Sequence, residues 1–119
     1  MSKVLIVDDD QMMISLISFR LKKEGFEVFS AENGLEAIEV LEKTAPDIII
    51  SDILMPIMSG LEFVDHIRNQ MKLQIPIIVI STSGHEKTVL EAFDLGANDF
   101  ITKPFSPSEL VVRLRKYFN

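Results

Sequence analysis

Hydrophobic positions along the chain follow two alternating rhythms. Short apolar blocks lie at residues 3–7, 27–31, 47–51, 77–81 and 99–102. Three of them contain the unbroken runs Val4-Leu5-Ile6-Val7, Ile48-Ile49-Ile50 and Ile77-Ile78-Val79-Ile80, the pattern of strands covered on both faces, as in a parallel sheet. Between the blocks, apolar residues recur at helical spacing: Ile14, Ile17 and Leu21, then Ala37, Ile38 and Leu41, then Val64, Ile67 and Met71. Leu90 and Phe93 mark a fourth helix, and Leu110, Leu114 and Phe118 a fifth. The pattern predicts a strand followed by a helix, five times over.

Helix boundaries are marked independently of this rhythm. Asn33-Gly-Leu-Glu36, Ser59-Gly-Leu-Glu62, Ser83-Gly-His-Glu86 and Ser106-Pro-Ser-Glu109 each place a small polar residue three positions before a glutamate, the signature of a capping box or its Asn variant. Pro107 then occupies a first helical position, where its missing N–H is not needed. Gly25 and Gly96 follow the first and fourth helical patterns and can end them with positive φ. Alternating strands and helices imply right-handed crossovers and a doubly wound α/β sheet with helices on both faces. With 119 residues, a single domain is expected.

Composition narrows the function classes. The chain has 18 acidic and 12 basic residues, a net charge of −6, the wrong sign for neutralising a phosphate backbone. Direct nucleic-acid binding is not expected. Hydrophobic runs of no more than four residues exclude a membrane-spanning helix. The apolar start runs straight into Asp8-Asp9-Asp10, which cannot serve as the core of a signal peptide, so a cytoplasmic location is expected. No cysteine is present, which removes thiol nucleophiles and thiolate metal sites.

In doubly wound sheets, ligands bind beyond the carboxyl ends of the strands, at the switch point of strand order. That is where the unusual polar residues fall. Asp8, Asp9 and Asp10 follow the first strand, Asp52 the third, Ser81 and Thr82 the fourth, and Lys103 the fifth. A strand order 2-1-3-4-5 brings Asp8 and Asp9 close to Asp52, with Asp52 expected to be the acid that faces Lys103. Clustered carboxylates repel and raise one another's pKa unless a cation neutralises them, and an all-oxygen donor set favours Mg²⁺, with Mn²⁺ able to substitute. Each residue alone has a plainer explanation. The aspartate run can complement a helix dipole, Asp52 can cap a turn, and Lys103 can be solvated. Their convergence at one end of successive strands is what points to a site.

Taken together, Val7-Asp8-Asp9, Asp52-Ile-Leu-Met-Pro56, the hydroxyl at Ser81 and the run from Gly96 to Phe105 (GANDFITKPF) resemble the receiver domain of two-component response regulators, along the whole chain. The resemblance implies a flavodoxin-like fold and a phosphoryl group accepted by Asp52 from a phosphohistidine on a histidine kinase or phosphotransfer protein. It implies Mg²⁺ held by Asp8, Asp9, Asp52 and the backbone carbonyl of Leu54. Ser81 and Lys103 would contact phosphoryl oxygens, and the Lys103–Pro104 peptide would be cis. Such a domain promotes its own phosphorylation and dephosphorylation and is not an enzyme on an external substrate. Ser81 and Phe100 would switch a protein-interaction surface made by the fourth helix, fifth strand and fifth helix. That surface would serve a downstream protein, an attached output domain or a phosphorylation-dependent homodimer.

Departures from the family pattern are small. Ser81 stands where Thr is frequent, Thr82 where a smaller residue is usual, and Phe100 where Tyr is common, so no phenolic hydroxyl is offered to a partner. Three rival functions are open. A flavin-mononucleotide carrier needs a phosphate-cradling loop after the first strand, where three aspartates would repel the ligand. An aspartate-nucleophile hydrolase would want an acid at position 54, which is Leu54. A receiver used only as a binding platform has no need of the complete acid, hydroxyl and lysine set.

Overall fold

The computed structural model describes residues 2–82 and 84–118. Within them the chain runs β1 (Lys3–Val7), α1 (Gln11–Lys23), β2 (Glu27–Ala31), α2 (Gly34–Thr44), β3 (Ile48–Asp52) and α3 (Gly60–Asp65). It continues through β4 (Ile77–Ser81), α4 (Glu86–Leu95), β5 (Asp99–Thr102) and α5 (Pro107–Arg115). All strand pairs are parallel, in the order β2-β1-β3-β4-β5, the flavodoxin-like arrangement expected from the sequence.

Strand alternation divides the core into two layers. Val4, Ile6, Ile48, Ile50, Ile78 and Ile80 pack with Ile14, Ile17 and Leu21 of α1 and Leu110 and Leu114 of α5. Leu5, Val7, Ile49, Ile77 and Val79 face Ala37 and Leu41 of α2, Phe63 and Val64 of α3, and Ala92 of α4. Because both faces are covered, the strands are apolar at consecutive rather than alternate positions.

Several boundaries differ from the sequence pattern. The third strand lies one residue later than expected, at Ile48–Asp52. Its ladder with β1 begins at Val4 opposite Ile48, while Asp47 uses its N–H and carboxylate on the backbone of Lys3, each at 2.8 Å. The shift makes Asp52 itself a strand residue, paired with Ile80.

The third helix loses its regular period after Asp65. His66–Gln70 widens into a π-helical turn, closed by Met71 N–H donating to His66 O at 3.0 Å. Arg68 in that turn donates to the carbonyls of Leu73 (2.9 Å) and Gly96 (3.1 Å) and to Asn98 Oδ1 (3.0 Å), stapling this turn to the one between α4 and β5.

Caps agree with expectation at three of the four boxes. Ser59 and Glu62 form a reciprocal capping box, and Asn33 and Ser106 accept from Glu36 N–H and Glu109 N–H. The fourth differs: α4 begins at Glu86 behind His85, which makes no side-chain cap bond, and Ser83 lies outside the described residues.

Candidate functional site

β1 and β3 are neighbours in the middle of the sheet, so the turns that leave their carboxyl ends share one corner. Asp8 continues the line of β1, its N–H donating to Ala31 O at 3.0 Å. Its Oδ1 accepts the N–H of Asp10 at 3.0 Å, which holds the side chain toward the sheet. Asp9 is exposed beside it. Asp52 ends β3, with Oδ1 accepting Ile53 N–H at 2.9 Å. One oxygen from each of Asp8, Asp9 and Asp52 lies within 4.8 Å of the others.

Asp10 does not join them. Its carboxylate accepts from Met12 N–H and Met13 N–H and caps α1, so the helix-cap explanation holds for the third aspartate of the run and not for the first two.

Lys103 enters from the end of β5. Its Nζ lies 3.5 Å from Asp52 Oδ2 and 3.4 Å from Asp8 Oδ2. The expectation that Asp52 alone faces this lysine is corrected: the ammonium bridges both buried acids. The following peptide, Lys103–Pro104, is cis, as the resemblance implied. Lys103 N–H donates to Ser81 O at 2.7 Å, tying the ends of β4 and β5 together. Ser81 is buried. Leu54, two residues beyond Asp52, lies in the loop between β3 and α3 with its side chain exposed. Phe100 is half-buried on β5 and packs against the layer that contains Ala92 of α4.

The electrostatics single out Asp52. Burial, then the charge of Asp8, push its carboxyl above the ordinary range, while Lys103 and the Ile53 N–H pull it down. A buried acid held against a second acid and one lysine is poorly compensated, which is the condition a hard cation relieves.

Two residues that matter here were not singled out from the sequence. A side chain at Gly60 would meet Asp52 O at 2.1 Å, so only glycine lets α3 start against the end of β3. Ile57 adopts a positive φ of 72° in the same loop. The capping box around Ser59 was visible in the sequence; the close approach of Gly60 depends on tertiary geometry.

Comparison with known proteins places the chain in a family. The family model described as the response regulator receiver domain matches residues 4–115. The alkaline phosphatase synthesis transcriptional regulatory protein PhoP of Bacillus subtilis (strain 168) is 35% identical over 113 residues, covering 95% of this chain and 47% of that protein. The chain thus spans about half the length of that relative. Among solved structures, the chemotaxis response regulator CheY4 of Vibrio cholerae superposes with a TM-score of 0.92 at 36% identity, covering 99% of each chain. The BeF3-activated N-terminal receiver domain of RstA from Klebsiella pneumoniae gives 0.91 at 29% identity, covering 98% of this chain and 97% of the other. Sequence and fold thus agree across nearly the whole chain, and this chain belongs to the response regulator receiver domain family.

Proposed function

We propose that Asp52 is the phosphoacceptor of this receiver domain, taking a phosphoryl group from a phosphohistidine on a sensor histidine kinase or phosphotransfer protein. The P–N bond breaks as a P–O bond to a carboxylate oxygen of Asp52 forms, the electron pair stays on the ring nitrogen, and the histidine, whose other ring nitrogen carries a proton, leaves as neutral imidazole. A carboxylate is a competent nucleophile for such covalent transfer. Hydrolysis of the resulting acyl phosphate by water, promoted by the same residues, returns Asp52. The residues therefore act on a group that the domain itself carries, rather than on a released substrate.

The observation that carries this reading is the Lys103 ammonium within 3.5 Å of the Asp52 carboxylate, in a pocket where Asp8 and Asp9 can each bring an oxygen within 4.8 Å. Phosphoryl transfer depends on in-line positioning and on cations that balance the equatorial oxygens. Lys103 supplies one such charge. The oxygen-only donor set fits Mg²⁺, with Mn²⁺ able to substitute, and Asp8, Asp9, Asp52 and the carbonyl of Leu54 would hold it. When bound, the ion supplies the second positive charge facing the transferred group. Ser81 places a hydroxyl at the end of β4, where it can donate to a third oxygen.

Once Asp52 is modified, Ser81 and Lys103 are the groups that can follow it, and they lie at the ends of β4 and β5. The face made by α4, β5 and α5, with Phe100 beneath it, is the surface they would switch. It carries Glu86, Lys87, Glu91 and Asp94 as well as an Arg113–Asp99 ion pair at 2.8 Å, a mixture of signs suited to a protein partner, an attached output domain or a second copy of this domain. Residues 1–119 act as one receiver unit in the cytoplasm, without contacting nucleic acid themselves. Among the described residues, no helix is long and apolar enough to cross a membrane.

The chemical nature of the product tests the reading. Label transferred from an autophosphorylated kinase should be released by hydroxylamine, as an acyl phosphate is, and borohydride reduction should mark Asp52. Label stable to hydroxylamine, or reduction at Asp8 or Asp9, would overturn it.

A further inference from the structure

The end of the sheet opposite Asp52 holds a pocket that phosphoryl chemistry does not use. It lies where Pro46 leads into β3 and Ile75 leads into β4, beside the last turn of α2, and has a volume of about 290 Å³. Leu41, Met71, Leu73 and Ile75 give it a mostly apolar lining. The last three are only half-buried, although they belong to the layer of α2, α3 and α4. Apolar side chains around an open pocket forfeit the contacts that closer packing would give, and a ligand can supply them.

Both walls are pinned, so the pocket is held open. On one side Lys3 Nζ donates to Thr44 O at 3.0 Å, and the Asp47 carboxylate accepts Lys3 N–H at 2.8 Å. On the other, Leu73 N–H donates to Ile67 O at 3.0 Å and Arg68 Nη1 donates to Leu73 O at 2.9 Å. Ala45 and Lys72 turn the chain there with positive φ of 49° and 57°, conformations that residues other than glycine adopt at a cost. A site formed in advance spares a ligand the ordering of its walls.

Size and charge say what the ligand is. An apolar cavity of about 150 Å³ takes one benzene ring, so this pocket has room for two. Among the described residues that line it, Glu42 is the one with a charge, and its carboxylate makes no hydrogen bond or ion pair. Lys43 and Lys72 are exposed next to lining residues in the sequence, but neither lines the pocket. The polar end of a matching ligand is therefore a cation. None of the large exposed apolar side chains, from Met12 on α1 to Val112 on α5, is among the lining residues. The pocket is thus a concave site for a small molecule rather than part of the broad surface that a protein partner covers.

We propose that this pocket binds a small two-ring aromatic amine, its rings against Leu41, Met71, Leu73 and Ile75 and its ammonium beside the Glu42 carboxylate. The site is separate from Asp52 and does not depend on phosphoryl transfer.

Two ligands and two variants test it, with amide resonances of the domain followed during titration. The probe is tryptamine, an indole carrying an ethylammonium group, and its neutral counterpart is tryptophol, with a hydroxyl in place of the amine. Tryptamine should shift residues 41–45 and 71–75 saturably, with half-saturation below about 1 mM. Tryptophol should bind the same residues about threefold more weakly, as expected for the loss of one exposed charge pair. Glu42→Gln, a surface change, should bind the two equally. Leu73→Trp, which fills the space, should lose both ligands and melt above the parent. Shifts centred on residues 8–10 and 52–54 would show tryptamine drawn to the acidic corner and would overturn the proposal. So would the absence of saturable shifts, an unchanged preference for the amine in Glu42→Gln, or undiminished binding to Leu73→Trp.

Discussion

Burial and the charge of Asp8 both hold the Asp52 carboxyl above its ordinary value of 3.8, so the folded domain keeps this proton to higher pH than the unfolded chain does. An acid shifted upward supports the fold below its ordinary value, and that support is lost as pH rises through the raised one. In metal-free buffer, Asp52→Asn is therefore expected to melt above the parent at pH 7, with a gain that shrinks toward pH 4. Thermal unfolding across that range checks it, and an Asn variant less stable than the parent at pH 7 would contradict the account. Lys103 acts in the opposite sense. Its ammonium lies within 3.5 Å of two buried carboxylates, so Lys103→Met should destabilise the metal-free domain by about 2 kcal/mol, because breaking one side of a buried pair leaves the acids uncompensated. Added Mg²⁺ should recover part of that loss in the same melts, and no recovery would count against a cation held by Asp8, Asp9 and Asp52.

At the scale of elements, the site depends on where strands stop and helices start. Gly60 is the tightest point, since a Cβ there would lie 2.1 Å from Asp52 O and 2.7 Å from Ile53 Cα. Gly60→Ala should cost about 3 kcal/mol, because backbone has to move to admit the methyl group, and should shift the amide resonances of residues 52–60. The Ser106 cap is an ordinary one by comparison, and Ser106→Ala should cost about 1 kcal/mol in denaturant unfolding.

The strands and most helix starts were legible in the sequence because continuous apolar runs and capping boxes are local signals. The convergence of Asp8, Asp9, Asp52 and Lys103 was legible because each stands at or just beyond the carboxyl end of an expected strand. Tertiary contacts were not. The π-helical turn at His66–Gln70 accompanies Arg68 reaching the backbone beyond α4, and nothing local to residues 66–70 announces that partner. The one-residue shift of β3 follows from Asp47 binding the backbone of Lys3, which is 44 positions away. The positive φ of Ile57 contradicts the preference of its own side chain, so a propensity argument would place it elsewhere.

For the whole molecule, the parallel order of strands makes one corner out of residues spread from Asp8 to Lys103, and the proposed switch would carry a change at Asp52 toward α4, β5 and α5. A ligand shifts a conformational equilibrium only through its difference in affinity for the two states. A phosphoryl mimic at Asp52 should therefore move amide resonances in α4, β5 and α5 along a line between two states, with Phe100 among them. Shifts confined to the loops after β1, β3 and β5 would show that this face is not switched. The most direct test of the central claim is the intact mass of the protein after incubation with a small phosphodonor, with and without Mg²⁺, for the parent and for Asp52→Asn. The parent should gain one phosphoryl group in a Mg²⁺-dependent manner, and the variant none. An equal gain in Asp52→Asn, or full modification of the parent without a divalent cation, would contradict the account.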